Sequence, residues 1–190
     1  MTNNKLTDEK KMTGLEQGLV HIYCGDGKGK TTACVGLTVR AASYGLRILF
    51  CQFLKSGTSG ELSILKKLPT VEVLSGEPVN RFSWNMNDEE KKITRQFNDD
   101  RLREISQRIQ NNEFDVVVLD EVIGTIDAGL LNGDVLLNLI SAKPTTCELV
   151  MSGRNPAQAL IDQADYVSEV IARKHPYETS GIVSRKGIEF

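Results

Sequence analysis

Short apolar runs alternate along this chain with longer segments in which apolar and polar residues are mixed. The apolar runs have the length of buried strands and lie at residues 19–24, 46–53, 71–74, 114–119, 147–151 and 166–172. The mixed segments have helical patterns and lie at residues 33–44, 60–68, 87–110, 122–131 and 135–140, with a further helix near Pro156. Strands that alternate with helices predict an α/β fold with a mainly parallel sheet.

Length and charge narrow the possible classes of protein. The chain has 190 residues, and we expect a flexible N-terminal arm over residues 1–17 and one domain over residues 18–190. Its net charge of −2 argues against a nucleic-acid partner. No apolar run approaches the ~20 residues of a membrane span, and the polar start does not resemble a signal peptide. We therefore expect a cytoplasmic protein that binds neither nucleic acid nor membrane.

A glycine-rich segment between the first strand and the first helix predicts a phosphate-binding loop. Glycines allow successive backbone N–H groups to point at one anion, and the lysine and threonine that follow suit phosphate oxygens and Mg²⁺. The alternative is a glycine-rich turn that caps a helix and binds no ligand. The spacing departs from the common motif because the expected first glycine is Cys24. The loop residues are Gly25, Asp26, Gly27, Lys28, Gly29, Lys30, Thr31 and Thr32.

Acidic and basic residues follow two other predicted strands. Asp120 and Glu121 end the run at 114–119, where a carboxylate can hold Mg²⁺ opposite Thr31 or can activate water. They could also simply mark the end of a strand. Arg154 follows the run at 147–151 and is either a clamp on a triphosphate or a surface residue at a helix start. Because carboxyl ends of parallel strands meet at one edge, these residues are expected near the glycine-rich loop.

Other polar and aromatic positions are less specific. Phe82 and Trp84 lie in a long loop, and position alone favours packing onto the core over a platform for a flat ligand. A lone histidine such as His175 is more often hydrogen-bonded than catalytic. The four cysteines show no metal-binding spacing, and we expect buried, reduced thiols, including Cys24 at a strand end.

Taken together, these segments resemble the P-loop family of ATP:cob(I)alamin (corrinoid) adenosyltransferases. The resemblance extends from Gly18 to Phe190 and includes the shortened glycine-rich loop. The other matching blocks are Gln52-Phe53-Leu54-Lys55, Gly60-Glu61, Phe82-Ser83-Trp84, Leu119-Asp120-Glu121, Ser152-Gly153-Arg154, Ala164-Asp165, Lys174-His175 and Gly187-Ile188-Glu189-Phe190.

The resemblance implies a three-layer P-loop NTPase-like fold and a specific reaction. The Co(I) centre of a reduced corrinoid, such as cob(I)yrinic acid a,c-diamide or cob(I)alamin, attacks C5′ of ATP, and triphosphate leaves. It implies that residues 25–32 and Arg154 bind the nucleotide, in the reverse of the usual orientation. Thr31, Asp120 and Glu121 would hold Mg²⁺, and Lys30 and Glu121 would stabilise the leaving group. No protein nucleophile is required, and none is evident.

The resemblance also assigns a corrinoid site and partners. Phe82 and Trp84 would form an apolar wedge under the corrin ring that excludes the lower axial ligand and favours reduction of Co(II), with Lys174 and His175 as further corrinoid contacts. A homodimer, an arm that covers the partner's site and an electron donor such as a reduced flavoprotein are implied as well. Two other functions stay open at this point: a P-loop ATPase or kinase, and a corrinoid or nucleotide binder without catalysis.

Overall fold

The computed structural model describes residues 14–55, 57, 59–79 and 81–189. Most of the predicted arm and the terminal Phe190 therefore lie outside the described residues. The strands are β1 (Val20–Cys24), β2 (Ile48–Gln52), β3 (Val71–Leu74), β4 (Val116–Asp120), β5 (Glu148–Ser152) and β6 (Tyr166–Glu169). The helices are α1 (Lys30–Ser43), α2 (Gly60–Leu65), α3 (Asp88–Gln110), α4 (Val122–Asp127), α5 (Gly133–Ala142), α6 (Gln158–Ile161) and α7 (Pro176–Ser180).

In the part of the chain that the structure describes, the strands form one parallel sheet in the order β3-β2-β4-β5-β1-β6. The predicted α/β fold with a mainly parallel sheet is confirmed. Strands β4, β5 and β1 lie next to one another at its centre, so the segments that follow them meet at one edge. This edge carries the glycine-rich loop, Asp120 and Ser152.

Apolar side chains cover both faces of the sheet. One buried cluster joins the sheet to α3, α4, α5 and α6, and the other joins it to α1 and α2. Strand β4 lies between the two clusters and is buried along its whole length, which explains its unbroken apolar run. The fold is therefore a three-layer arrangement of helices, sheet and helices. None of the helices in the described residues is both long and apolar enough to cross a membrane.

The longest helix confirms the start that the sequence predicts. The Asn87 side chain accepts a hydrogen bond from the Glu90 N–H at 2.9 Å, and the Glu90 carboxylate accepts from the Asn87 N–H at 2.9 Å, which completes a capping box. The apolar stripe of α3 is only partly buried. Its second half packs inward, whereas Ile93 and Phe97 are 48% and 41% exposed.

Several boundaries differ from those that the sequence indicates, and one helix is additional. Helix α1 begins at Lys30, not at residue 33, because Gly29 has a φ of 131° that ends the loop directly before it. Strand β6 ends at Glu169, three residues early. The sequence pattern does not predict the short helix α7; Pro176 is its first residue, a position that suits proline.

The four cysteines are free and buried, as predicted. Burial raises the pKa of Cys51 to about 12 and that of Cys147 to about 11. Cys24 ends β1, and burial raises the pKa of its thiol as well. These thiols are poor nucleophiles at neutral pH, which supports their interpretation as core residues.

Candidate active site

The glycine-rich loop between β1 and α1 is hydrogen-bonded to the segments that directly follow β5 and β6. The Gly25 N–H donates to the Arg154 carbonyl at 2.9 Å, and the Gly27 N–H donates to the Val170 carbonyl at 2.7 Å. A Cβ on Gly25 would lie 2.5 Å from the Val170 oxygen, and one on Gly27 would lie 2.8 Å from it. Glycine is therefore required at both positions by close backbone packing as well as by the φ of +96° at Gly25.

Lys30 lies inside this loop. Its ammonium donates to the carbonyl oxygens of Gly25 at 2.7 Å and Gly27 at 2.9 Å, and the residue is buried. The loop thus surrounds a positive charge at the start of α1, where helical N–H groups also favour an anion. The arrangement suits the binding of phosphate groups.

Thr31, Asp120 and Ser152 form a hydrogen-bonded group at the carboxyl ends of the central strands. The Thr31 hydroxyl donates to both Asp120 oxygens, at 3.1 and 3.2 Å, and the Ser152 hydroxyl donates to Asp120 Oδ1 at 2.8 Å. Asp120 is fully buried. The structure therefore brings together the threonine and the first carboxylate that the sequence predicts to face each other.

Glu121 lies next to this group in a left-handed conformation, with φ of 63°. Its N–H donates to the Ser152 hydroxyl at 2.9 Å, and its carboxylate lies over Gly124, where a Cβ would be 2.9 Å from Glu121 Oε2. Burial and then the neighbouring charge of Asp120 raise the pKa of the Glu121 carboxyl. Such backbone strain and a raised pKa are common at functional sites.

Lys55 completes the polar cluster from the loop that follows β2. Its ammonium is 3.3 Å from Asp120 Oδ2, 3.5 Å from the Thr31 hydroxyl and 3.7 Å from Glu61 Oε1. Gln52 links the same carboxylates, because its Nε2 donates to Glu61 at 3.0 Å and to Asp120 at 3.1 Å. No sequence motif assigns a role to Lys55 or Glu61, although both lie in matching blocks.

A cavity of about 450 Å³ opens over the glycine-rich loop, and we call it the loop cavity. It is lined by residues 27–32 of the loop, and by Val35, Lys55, Gly60, Glu61, Glu121, Gly187, Ile188 and Glu189. Gly25, Asp26 and Arg154 do not line it, although the Arg154 carbonyl holds Gly25. The side of the predicted nucleotide site that faces the cavity is thus the second half of the loop.

A second cavity, of about 520 Å³, adjoins the first, and we call it the aromatic cavity. Phe82 and Trp84 form part of its wall and stack with ring centroids 4.6 Å apart and planes 6° apart. They are 65% and 74% exposed, so the pair does not pack onto the core, the alternative that position alone favours. A stacked pair of exposed aromatic rings suits a large flat ligand.

A buried ion pair supports the wall of the aromatic cavity. Arg101 donates to Glu77 Oε1 at 3.1 Å and to the Asn98 side-chain oxygen at 2.6 Å, and its guanidinium lies 4.2 Å from the centre of the Phe53 ring. Glu77 Oε1 also accepts the N–H of Leu54, which has a φ of 57°, at 3.2 Å. Glu77 and Leu54 both line the cavity, so this network fixes the position of its wall.

The C-terminal segment reaches the site in a way that the sequence does not reveal. Glu189 accepts from the Lys28 ammonium at 2.7 Å, and it lines both the loop cavity and the aromatic cavity. Hydrogen bonds from Arg185 and then Lys28 lower the pKa of Glu189 to about 2. The structure places Lys174 and His175 elsewhere, in a third cavity of about 530 Å³ that contains neither Phe82 nor Trp84.

The described residues contain no cluster of three or more histidine, cysteine, aspartate or glutamate side chains that could hold a metal by themselves. Thr31 and Asp120 are nevertheless suitable for Mg²⁺, which protein sites often hold through one or two carboxylates together with substrate phosphates and water. The hydroxyl and carboxylate oxygens of this pair are hard ligands and lie within 3.2 Å of each other.

Comparison with known proteins agrees with this geometry. The model of the family described as ATP:corrinoid adenosyltransferase BtuR/CobO/CobP matches residues 16–190. A corrinoid adenosyltransferase of Pseudomonas aeruginosa is 30% identical over 176 residues, which cover 92% of this chain and 85% of that protein. Corrinoid adenosyltransferases of Escherichia coli K12 and Salmonella typhimurium are 26% and 27% identical, and each alignment covers 92% of this chain and 87% of the relative.

Proposed function

The chain belongs to the ATP:corrinoid adenosyltransferase family, and we propose that its two adjoining cavities hold the two substrates of that reaction. Enzymes of this family transfer the adenosyl group of ATP to a reduced corrinoid and make adenosylcobalamin. We assign ATP to the loop cavity and the corrinoid to the aromatic cavity. The observation that carries this assignment is that the two cavities share three residues of their walls, Lys55, Glu121 and Glu189.

The proposed reaction requires no nucleophile from the protein. The Co(I) lone pair forms a bond to C5′ of the ribose, the C5′–O5′ bond breaks, and its electrons leave with the triphosphate. The protein must then hold C5′ against the cobalt and neutralise the triphosphate. Proximity and preorganised charge are sufficient for both tasks.

The second half of the glycine-rich loop holds the triphosphate in this proposal. Lys28 and Lys30 both line the loop cavity and supply positive charge, and α1 begins at Lys30, so the N-terminal end of this helix lies at the same cavity. The predicted contact of Arg154 with the triphosphate stays a prediction. It is supported by the position of Arg154 two residues after β5, where its carbonyl accepts the Gly25 N–H at 2.9 Å.

We propose that Mg²⁺ binds with the nucleotide at Thr31 and Asp120, with Glu121 as a ligand or a partner for bound water. The ion would neutralise part of the triphosphate charge. Ser152 and Gln52 orient the Asp120 carboxylate through hydrogen bonds of 2.8 and 3.1 Å. Replacing Thr31 by alanine should raise the Mg²⁺ concentration that half-maximal activity requires, whereas a replacement outside the site should not.

Phe82 and Trp84 form the corrinoid side of the site. Co(I) favours a geometry without axial ligands, so an apolar pair under the ring that excludes water and the lower ligand would favour reduction of Co(II). The exposure and parallel stacking of the two rings support this role. Lys174 and His175 stay predicted corrinoid contacts, although they line a different cavity.

The wedge is tested by replacing Phe82 and Trp84 together with alanine. Activity is measured from Co(II)cobalamin with a weak reductant and from preformed Co(I)cobalamin. The wedge predicts a large loss from Co(II) and a small loss from Co(I). Equal losses from both starting states would refute it. Tyr44→Ala is a matched control, because Tyr44 is 51% exposed and lines none of the three cavities.

Two partners implied by the resemblance stay proposals. We propose a homodimer, which sedimentation velocity of the full chain would test, and a reduced flavoprotein as the electron donor. The donor is tested by replacing the chemical reductant with a reduced flavoprotein in the assay from Co(II).

A further inference from the structure

The boundary between the loop cavity and the aromatic cavity is the place where the reaction must occur if each cavity holds one substrate. Only Lys55, Glu121 and Glu189 line both cavities among the described residues. We therefore expect any protein group that acts on the breaking C5′–O5′ bond to belong to one of these three residues.

The charges of the three residues differ in what they can contribute. Negative charge develops on O5′ as the C5′–O5′ bond breaks, and a nearby carboxylate would oppose this change. Glu121 and Glu189 are carboxylates, whereas Lys55 carries an ammonium. A fixed positive charge beside a developing oxyanion accelerates such a step because it stabilises the transition state more than the ground state.

The surroundings of Lys55 hold its ammonium at this boundary. Asp120 Oδ2 and Glu61 Oε1 lie 3.3 and 3.7 Å from it, and Glu61 lines the loop cavity. Its side chain keeps 32% exposure, so the ammonium is anchored but still open to the cavities. Asp120 also accepts hydrogen bonds from Thr31, Ser152 and Gln52, so Lys55 is not the sole polar partner of this buried carboxylate.

We propose that Lys55 is a catalytic residue whose ammonium contacts O5′ of the nucleotide and stabilises the leaving triphosphate. Glu61 acts as a positioning residue for it through their 3.7 Å ion pair. In this step the Co(I) electron pair forms the Co–C5′ bond, the C5′–O5′ electron pair passes to the triphosphate oxygen, and cobalt becomes formally Co(III). The inference rests on the proposed assignment of the two substrates to the two cavities.

The test compares Lys55→Met, Lys55→Arg and the control Lys67→Met in single-turnover reactions with preformed Co(I)cobalamin. Lys67 is an exposed lysine that lines neither cavity. Lys55→Met is expected to lower the rate at saturating Mg·ATP by a factor of about 100 to 1,000, as the loss of one oxyanion donor does elsewhere. The ATP concentration for half-maximal rate should change less than about threefold, because the contact strengthens only in the transition state.

Further readouts separate catalysis from a structural role. Lys55→Arg should restore a part of the rate, and the Mg²⁺ requirement and the melting temperature of Lys55→Met should stay near those of the Lys67→Met control. The inference is overturned if Lys55→Met keeps its rate at saturation and only binds ATP more weakly. It is also overturned if high Mg²⁺ restores the full rate, because Lys55 would then serve the metal site.

Failure of the substrate assignment would look different. In that case the chain without substitutions would form no Co–C bond from preformed Co(I)cobalamin and Mg·ATP. This reaction is measured before the Lys55 variants, so the two failures are distinguishable.

Discussion

Replacing Gly27 by alanine should weaken both the glycine-rich loop and the fold around it. A Cβ at this position would lie 2.8 Å from the Val170 oxygen and 2.9 Å from the Ile171 carbonyl carbon, about 0.6 Å closer than ordinary contact allows. Both atoms belong to the backbone that follows β6, so no side-chain rotation can relieve the overlap. The loop and this segment must separate, and the 2.7 Å hydrogen bond between them is lost.

The expected loss of folding stability follows from the steric overlap and the lost hydrogen bond. Overpacking of this kind destabilises a protein by about 1–3 kcal/mol, and a lost hydrogen bond adds about 1 kcal/mol. For a domain of this size, 1 kcal/mol corresponds to a change of about 2–4 °C in melting temperature. We therefore expect Gly27→Ala to melt several degrees lower and to bind Mg·ATP at least about tenfold more weakly, a loss of about 1.4 kcal/mol.

Gly36→Ala is the matched control for this experiment. Gly36 lies within α1 and has no positive φ, and a Cβ added there would meet nothing outside the helix backbone within 4 Å. Alanine there should stabilise the helix by about 0.5–1 kcal/mol and leave ATP binding unchanged. Thermal melts and isothermal titration calorimetry with Mg·ATP measure both quantities. If Gly27→Ala melts and binds ATP like Gly36→Ala, the close packing of the loop is not a constraint.

Two further predictions concern buried charges. Burial raises the pKa of Asp115, but hydrogen bonds from Arg47, the shortest of which is 2.7 Å, outweigh it and lower the pKa. The carboxylate therefore stabilises the fold above its ordinary pKa of about 3.9, and this contribution is lost as pH falls through the lower folded-state pKa. Asp115→Asn should lower the free energy of unfolding, measured with urea, by about 1–3 kcal/mol at pH 7 and by progressively less in acid. A loss of stability that does not depend on pH would contradict this role of the carboxylate. Arg101→Met should lower the free energy of unfolding by about 3–5 kcal/mol, because it leaves the Glu77 carboxylate buried without the guanidinium that pairs with it. Adding Glu77→Gln to this variant should recover most of the lost stability, whereas additive losses would refute the pairing.

Much of the fold and part of the site could be predicted from the sequence because local patterns determine them. The unbroken apolar run of β4 predicts a strand covered on both faces, and Asp120 directly after it predicts a carboxylate at the edge where the glycine-rich loop lies. The capping box at Asn87 predicts the start of α3 within one residue. The sequence pattern places the start of α1 at residue 33, three residues too late, because the glycine-rich segment gives no local signal that the helix begins at Lys30.

The remaining features depend on how distant segments pack, which local patterns do not encode. Lys55 lines two cavities only because the loop after β2 meets Asp120 across the sheet edge. Glu189 reaches Lys28 across 161 positions of the sequence. The exposure of Phe82 and Trp84 also follows from tertiary structure, since a loop pattern alone favours aromatic side chains that pack inward.

In the proposed reaction this chain holds ATP so that a corrinoid attacks C5′ and triphosphate is the leaving group. The most direct test incubates the protein anaerobically with Mg·ATP and chemically reduced cobalamin, and follows the corrinoid spectrum together with the phosphorus NMR spectrum of the products. Adenosyl transfer by this route predicts a Co–C bond and inorganic triphosphate in equal amounts. Orthophosphate or ADP in place of triphosphate, or tight binding without a Co–C bond, would contradict it.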